Sequence, residues 1–210
     1  MNKKIWVLLP LSFLMILPVF AQEKEKKRAG SEISDSTVVM SKGRIMYKNR
    51  IYRQNAPYLT IGYGAGFGFE SRLIEQNLNL SYHHFIRKFG LQLGYHTSSD
   101  IKVWWRSYQK LNDLFLGAGR RWEGTNYNLS VFAGPSLAYG SYIAWNEERQ
   151  KDWAYGFTTG GLHAEIQATY KPTYDIGIGL SVYGSVNRYY SVAGAEIHLF
   201  FSTAFVRNYN

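Results

Sequence analysis

The sequence predicts an all-β protein, an eight-stranded antiparallel up-and-down transmembrane β-barrel with a short N-terminal periplasmic arm. Three observations carry that expectation. From Pro57 onward, bulky apolar and small polar residues alternate with period two in segments of about ten residues, the length of a tilted membrane strand. Tight turns alternate with longer loops between those segments, and aromatic residues gather at both ends of them, where interfacial girdles lie.

The first segment, 58–69, sets Leu59, Ile61, Tyr63, Ala65, Phe67 and Phe69 against Thr60 and a glycine column, Gly62, Gly64, Gly66 and Gly68. In the second, 74–85, Ile74, Leu78, Leu80 and Tyr82 oppose Glu75, Asn77, Asn79, Ser81 and His83. The third, 89–98, opposes Leu91, Leu93 and Tyr95 to Gln92, Gly94 and His96, and the fourth, 111–122, opposes Leu114, Leu116 and Ala118 to Asp113, Gly117 and Arg121. The fifth, 127–139, alternates Leu129, Val131 and Ala133 with Asn128, Ser130 and Gly134. The sixth, 157–170, alternates Leu162, Ala164 and Ile166 with His163, Glu165 and Gln167. The seventh, 175–186, carries Ile176, Ile178 and Leu180 against Gly177, Gly179 and Ser181, and the eighth, 193–205, carries Ala195, Ile197, Leu199 and Phe205 against Gly194, Glu196 and His198.

A water-soluble sandwich would send Lys and Glu outward and pack large apolar groups inward. Here the uncharged faces are the bulky ones, so they are expected to meet lipid while the small polar faces fill a narrow lumen. Arg87-Lys88, residues 123–126 and residues 171–173 are the short turns, and 99–110 and 140–156 the long loops. That asymmetry places the N-terminus in the periplasm.

Ahead of the barrel, Lys3 and Lys4, the apolar run Ile5 to Phe20 and the small-residue exit at Ala21 have the form of a secretory signal peptide over residues 1–21. Residues 22–36 are charged and small and cannot offset the entropy of ordering, so they read as a linker. Between 37 and 54, apolar residues interleave with basic ones around Lys48-Asn49, the pattern of a short hairpin. The chain has a formal net charge of +9, but the excess lies in the signal and in residues 22–56; from Pro57 onward 13 basic side chains face 11 acidic ones. The basic character therefore belongs to the arm, where Arg44, Lys48, Arg50 and Arg53 are candidate contacts to a periplasmic or outer-membrane protein partner, and it does not indicate nucleic acid. Absence of cysteine removes disulfides, thiolate metal sites and a cysteine nucleophile.

The chain resembles the small eight-stranded outer-membrane barrels, such as the membrane domain of outer membrane protein A, over residues 57–205. The resemblance is architectural; Gly194, Ile197, Leu199 and Phe205 partly match the terminal-strand signal of that family, and the tail from Val206 to Asn210 overruns it. It implies a place in the cell outer membrane, among outer-membrane lipid and lipopolysaccharide.

The chemistry-bearing residues fall in two groups. Glu75, His83, His96, Asp113, Arg121, His163, Glu165, Glu196 and His198 share the inward face, where a dense network of paired charges is expected rather than a metal site or cofactor. Trp104, Trp105, Arg106, Trp145, Arg149 and Trp153 lie in the outer loops, as candidates for gripping lipopolysaccharide phosphates or a surface partner. His96 and Ser98 resemble the His-x-Ser arrangement of outer-membrane lipid A deacylases, the alternative being a lipid hydrolase. Their inward direction disfavours it, and a non-enzymatic structural or accessory role in an envelope assembly is the leading expectation, with a narrow pore or adhesin as a further alternative. The glycine column gives inward room, to be filled by side chains such as Phe115 or Phe132, or by segment 37–54 acting as a plug.

Overall fold

The computed structural model describes residues 38–40, 43–48, 50–86, 89–100, 109–148 and 150–208. The expected signal peptide, the linker 22–36, and Trp104, Trp105, Arg106 and Arg149 lie outside the described residues.

Three short strands come first, β1 (Val38–Met40), β2 (Arg44–Tyr47) and β3 (Arg50–Arg53). Eight long strands follow: β4 (Tyr58–Gly68), β5 (Leu73–Ile86), β6 (Phe89–Asp100), β7 (Lys110–Glu123), β8 (Tyr127–Asn146), β9 (Lys151–Tyr170), β10 (Ile176–Asn187) and β11 (Val192–Ser202). Each pairs antiparallel with its sequence neighbour, and β11 pairs with β4 through eleven residues from Val192↔Gly68 to Ser202↔Tyr58, closing the ring. Closure leaves no open edge, which is the condition for a sheet to cross hydrocarbon. Among the described residues no helix is long and apolar enough to cross a membrane. The outward residues are the bulky apolar ones, such as Leu116, Leu162, Leu180, Val182 and Val186, each about 60% exposed. An uncovered apolar surface of this extent is stable in lipid and not in water.

Four details depart from the sequence expectations. The eighth barrel strand stops at Ser202, and Phe205–Asn208 forms a separate strand, β12, which pairs with β3 in a four-stranded sheet ordered β1-β2-β3-β12. The chain leaves the barrel after Ser202, with Arg53 N–H donating to the Ala204 carbonyl at 2.8 Å. The segment at 37–54 is thus three strands of a sheet completed by the C-terminal tail, not a free-standing hairpin. Second, residues 140–156 are mostly strand: β8 and β9 are 20 residues each and stay in register out to Asn146↔Lys151. Third, not every aromatic residue at a strand end joins a girdle: Phe85 falls on the inward parity of β5, Tyr174 packs against the four-stranded sheet and Tyr190 sits in the lumen, all three buried. Phe89, Trp122, Tyr127 and Tyr170 do face outward at the periplasmic end. Fourth, the inward room beside the glycine column is filled by Glu196, Tyr183, Asn77 and Glu75, while Phe115 and Phe132 fill the space at Gly94, Gly90 and Gly119 on the opposite wall.

The four-stranded sheet has its own small core, in which Ile45, Tyr47 and Tyr52 pack with Ala56, Ala204 and Tyr174 of the β9–β10 turn. The Tyr52 and Tyr174 rings lie 4.8 Å apart, and Phe205 meets Tyr52 edge-on at 6.1 Å. Lys48 takes φ 48° in the tight β2–β3 turn, the left-handed conformation that a two-residue hairpin connection demands.

Candidate functional site

Period-two alternation turns every second residue of eight strands into one lumen, and the register decides which of them meet. Glu75, His83, His96, Asp113, Arg121, His163, Glu165, Glu196 and His198 are all buried there. Aromatic side chains fill the lumen at two levels. Toward the periplasm Tyr58, Phe85, Phe132 and Phe200 cluster, and toward the outer end Leu111, Phe157, Tyr183, Tyr190 and Val192 do so, with Tyr142 and Tyr189 packed against them.

The periplasmic level is charge-balanced. Arg121 Nη2 donates to Glu123 at 2.8 Å, Nε to Asn128 Oδ1 at 2.5 Å, and Nη1 to the Ala56 carbonyl at 3.1 Å. Its guanidinium lies over the Tyr58, Phe85 and Phe200 rings at 4.8, 5.2 and 5.7 Å, a cation–π seat strengthened by desolvation. Lys171 Nζ donates to the same Glu123 carboxylate at 3.2 Å and sits over the Tyr174 ring at 4.1 Å. Burial pulls the Lys171 amine down to about 8, with Glu123 opposing the shift. Sequence reasoning missed Lys171 and Glu123, which sit in or beside a turn and carry no alternation signal.

Between the two aromatic levels the carboxylates meet no Arg or Lys among the described residues. Glu165 is held by amides, accepting from Gln92 at 2.8 Å, Gln167 at 3.0 Å and Asn79 at 3.4 Å. Asp113 accepts from the Ser185 hydroxyl at 2.6 Å and lies 3.4 Å from His163 Nδ1. Glu75 accepts from Ser98 and from the Tyr190 hydroxyl. Glu196 has no donor on either oxygen; His96 Nε2 approaches only to 3.8 Å. Among the described residues the lumen's Arg and Lys are both spent on Glu123, so these four carboxylates face only histidines, amides and hydroxyls. His198 meets Thr169 at 2.9 Å, and His83 stacks on Tyr58 at 4.1 Å.

His96 and Ser98 share the inward face, yet the Ser98 hydroxyl donates to Glu75 and His96 has no partner within hydrogen-bond distance. A hydrolase needs the hydroxyl aimed at its base, and that pair is absent here. No group of three His, Asp or Glu side chains converges as a metal ligand set among the described residues.

The projecting hairpin of β8 and β9 carries Trp145, 57% exposed, and Trp153, with Lys151 over the Trp153 ring at 5.6 Å. Arg44, Lys48, Arg50 and Arg53 all lie exposed on the four-stranded sheet.

A closed ring of eight antiparallel strands, apolar outside and polar within, with both barrel ends on the same side, is now established. The fold is that of the small eight-stranded outer-membrane β-barrels. Among solved structures the chain is similar to Neisserial surface protein A, at 12% identity and a TM-score of 0.56, over 70% of this chain and 96% of that one. It is similar also to Ail, the attachment invasion locus protein of Yersinia pestis, at 12% identity and a TM-score of 0.50, over 72% and 99%. At these identities the likeness is one of fold. No protein-family model matches the sequence, and no curated protein matches it.

Proposed function

We propose that this outer-membrane barrel is a non-enzymatic structural or accessory subunit of an envelope assembly, and that it docks a periplasmic protein partner through the sheet formed by β1, β2, β3 and β12. The supporting observation is a like-charged pair. Arg44 and Arg53 stand directly opposite each other across β2 and β3, both exposed, and neither has a carboxylate partner among the described residues. Like charges directly opposite on a sheet destabilise it by a few tenths to about 1 kcal/mol, a cost that an acidic partner surface removes. The sheet joins the segment before the barrel to the segment after it in one platform at the periplasmic mouth, which suits a docking role better than a transport one.

The test is affinity purification from native membranes in mild detergent, comparing wild type with Arg44→Glu/Arg53→Glu. A co-purifying envelope protein that is lost with the double variant, while the barrel stays folded in the membrane, is the expected result. If deletion of residues 22–54 leaves every co-purifying protein unchanged, the docking role is wrong.

A further inference from the structure

On the wall formed by β7 and β8 the ladder is interrupted. Leu114↔Leu137 and Phe115↔Ser136 are paired, and pairing resumes only at Ala118↔Ala133. Pro135, which has no N–H to donate, lies in the gap, and a proline within a strand marks such a break. Around it the lipid-facing surface is low. Ala118, Ala133 and the bare backbone of Gly117 and Gly134 floor a groove of about 460 Å³, walled by the larger Tyr82, Leu93 and Leu116.

Polar groups stand at one end of this apolar groove. His84 is part of its lining and lies in the row of the floor, since it pairs with Leu91 and Leu91 with Ala118. Arg120 comes next after Ala118 on the outward parity of β7, exposed, opposite Phe89 and two residues from Trp122. Phe89 and Trp122 belong to the periplasmic girdle, so the guanidinium lies at the height of the lipid headgroups. Lys110 and Asp152 also have outward parity but stand at the outer end; in the periplasmic half of β4 to β11, Arg120 is the one charged side chain on that face among the described residues. No carboxylate among them pairs with it. It lies over the Trp122 ring at 5.4 Å. A stacked guanidinium keeps its in-plane N–H donors, the fork that receives a phosphate.

We infer that this groove and Arg120 together bind an anionic glycerophospholipid of the periplasmic leaflet, with an acyl chain in the groove, the phosphate on the guanidinium and His84 between them. Charge selects the occupant. A basic side chain at the membrane surface attracts anionic headgroups, and the groove continues from it into the hydrocarbon. A second copy of the barrel seated here by two-fold contact would bring the same patch, and so another Arg120, to a face that offers no carboxylate.

The intact barrel is reconstituted into vesicles of equal parts phosphatidylcholine and phosphatidylglycerol, released in mild detergent at low salt, and its retained lipids are identified by native mass spectrometry. One phosphatidylglycerol per barrel is expected, retained over phosphatidylcholine by about fivefold. Arg120→Gln loses the preference. Ala133→Phe, which fills the groove and leaves the charge, loses the retained lipid. Both positions face lipid, so neither change disturbs the packed lumen. The chain has no cysteine, and Ala133→Cys oxidised in native membranes is expected to stay unlinked. Equal retention of the two lipids overturns the inference, as does a preference that Arg120→Gln keeps in full or that Ala133→Phe leaves intact. A disulfide-linked dimer of Ala133→Cys also overturns it, by showing that a second copy fills the groove.

Discussion

The two ends of the lumen solve the same electrostatic problem in opposite ways. At the periplasmic end Arg121 and Lys171 converge on Glu123, and three aromatic rings close over the guanidinium. Farther along the lumen, between the two aromatic levels, four carboxylates lie buried with no guanidinium or ammonium beside them among the described residues. The first arrangement is a completed network, in which each removal leaves an orphan; the second is an incomplete one, in which neutralising a carboxylate removes a burden. The same kind of mutation should therefore change sign between them.

The largest effect is expected at Arg121. Arg121→Ala strips the donor from Asn128 Oδ1, the Ala56 carbonyl and Glu123 together, and opens a hole beneath Tyr58, Phe85 and Phe200. A loss of about 3–5 kcal/mol follows from breaking a buried charged network, measurable by urea titration of the barrel in detergent. Next comes Tyr52→Ala, which removes the ring joining β3 to Phe205 of β12 and to Tyr174 of the β9–β10 turn. It should destabilise the sheet by roughly 3 kcal/mol. Hydrogen exchange will locate the loss: amides of 44–53 speed up while those of the barrel strands keep their protection.

Farther along the lumen the sign reverses. Glu196→Gln should be as stable as wild type or more stable by about 1 kcal/mol, because a buried carboxyl group whose oxygens accept no hydrogen bond has been replaced by a neutral group of the same shape. A destabilisation comparable to that of Arg121→Ala would dissolve the contrast between the two ends.

How much of this was legible in the sequence follows from the range of the signal. Strand identity is local: the alternation of Leu78 and Leu80 with Asn77 and Asn79 gives both the strand and its inward face. The projecting part of β8 and β9 was obscured by the charged run Glu147 to Asp152, although Tyr142↔Tyr155 and Ala144↔Trp153 continue the same ladder. The end of β11 was overrun because Phe205 keeps the outward parity of Phe201 while the intervening Thr203-Ala204 leaves the barrel. The wall beside the glycine column was half visible. The column stands out in β4 and Glu75 and Asn77 in the adjacent β5, but Tyr183 and Glu196 come from β10 and β11, which reach β4 only through the closing register of the barrel. Pattern reading gives faces and not neighbours, so it listed Arg121 with Glu196 as one paired network when the fold sets them at different levels.

The smallest effect concerns pH at the periplasmic end. Burial, partly opposed by Glu123, holds the Lys171 amine at about 8 against 10.5 in an exposed lysine. Below pH 8 the folded and unfolded chains both carry the charge, and the full cost of burying it is present. Between about 8 and 10.5 the folded chain has released a proton that the unfolded chain still holds, so stability rises with pH across that window. Tyr174, whose phenol is pushed up by burial and then by Glu123, works the other way above pH 10, where the unfolded chain ionises first. The net expectation is a shallow rise in urea midpoint from pH 8 to 10 that flattens beyond it. Lys171→Met should abolish the rise and leave the flattening to turn downward, whereas a wild-type midpoint that falls steadily from pH 8 would show that the Lys171 charge is a net stabiliser of this end and that the Glu123 attraction outweighs the desolvation of the amine.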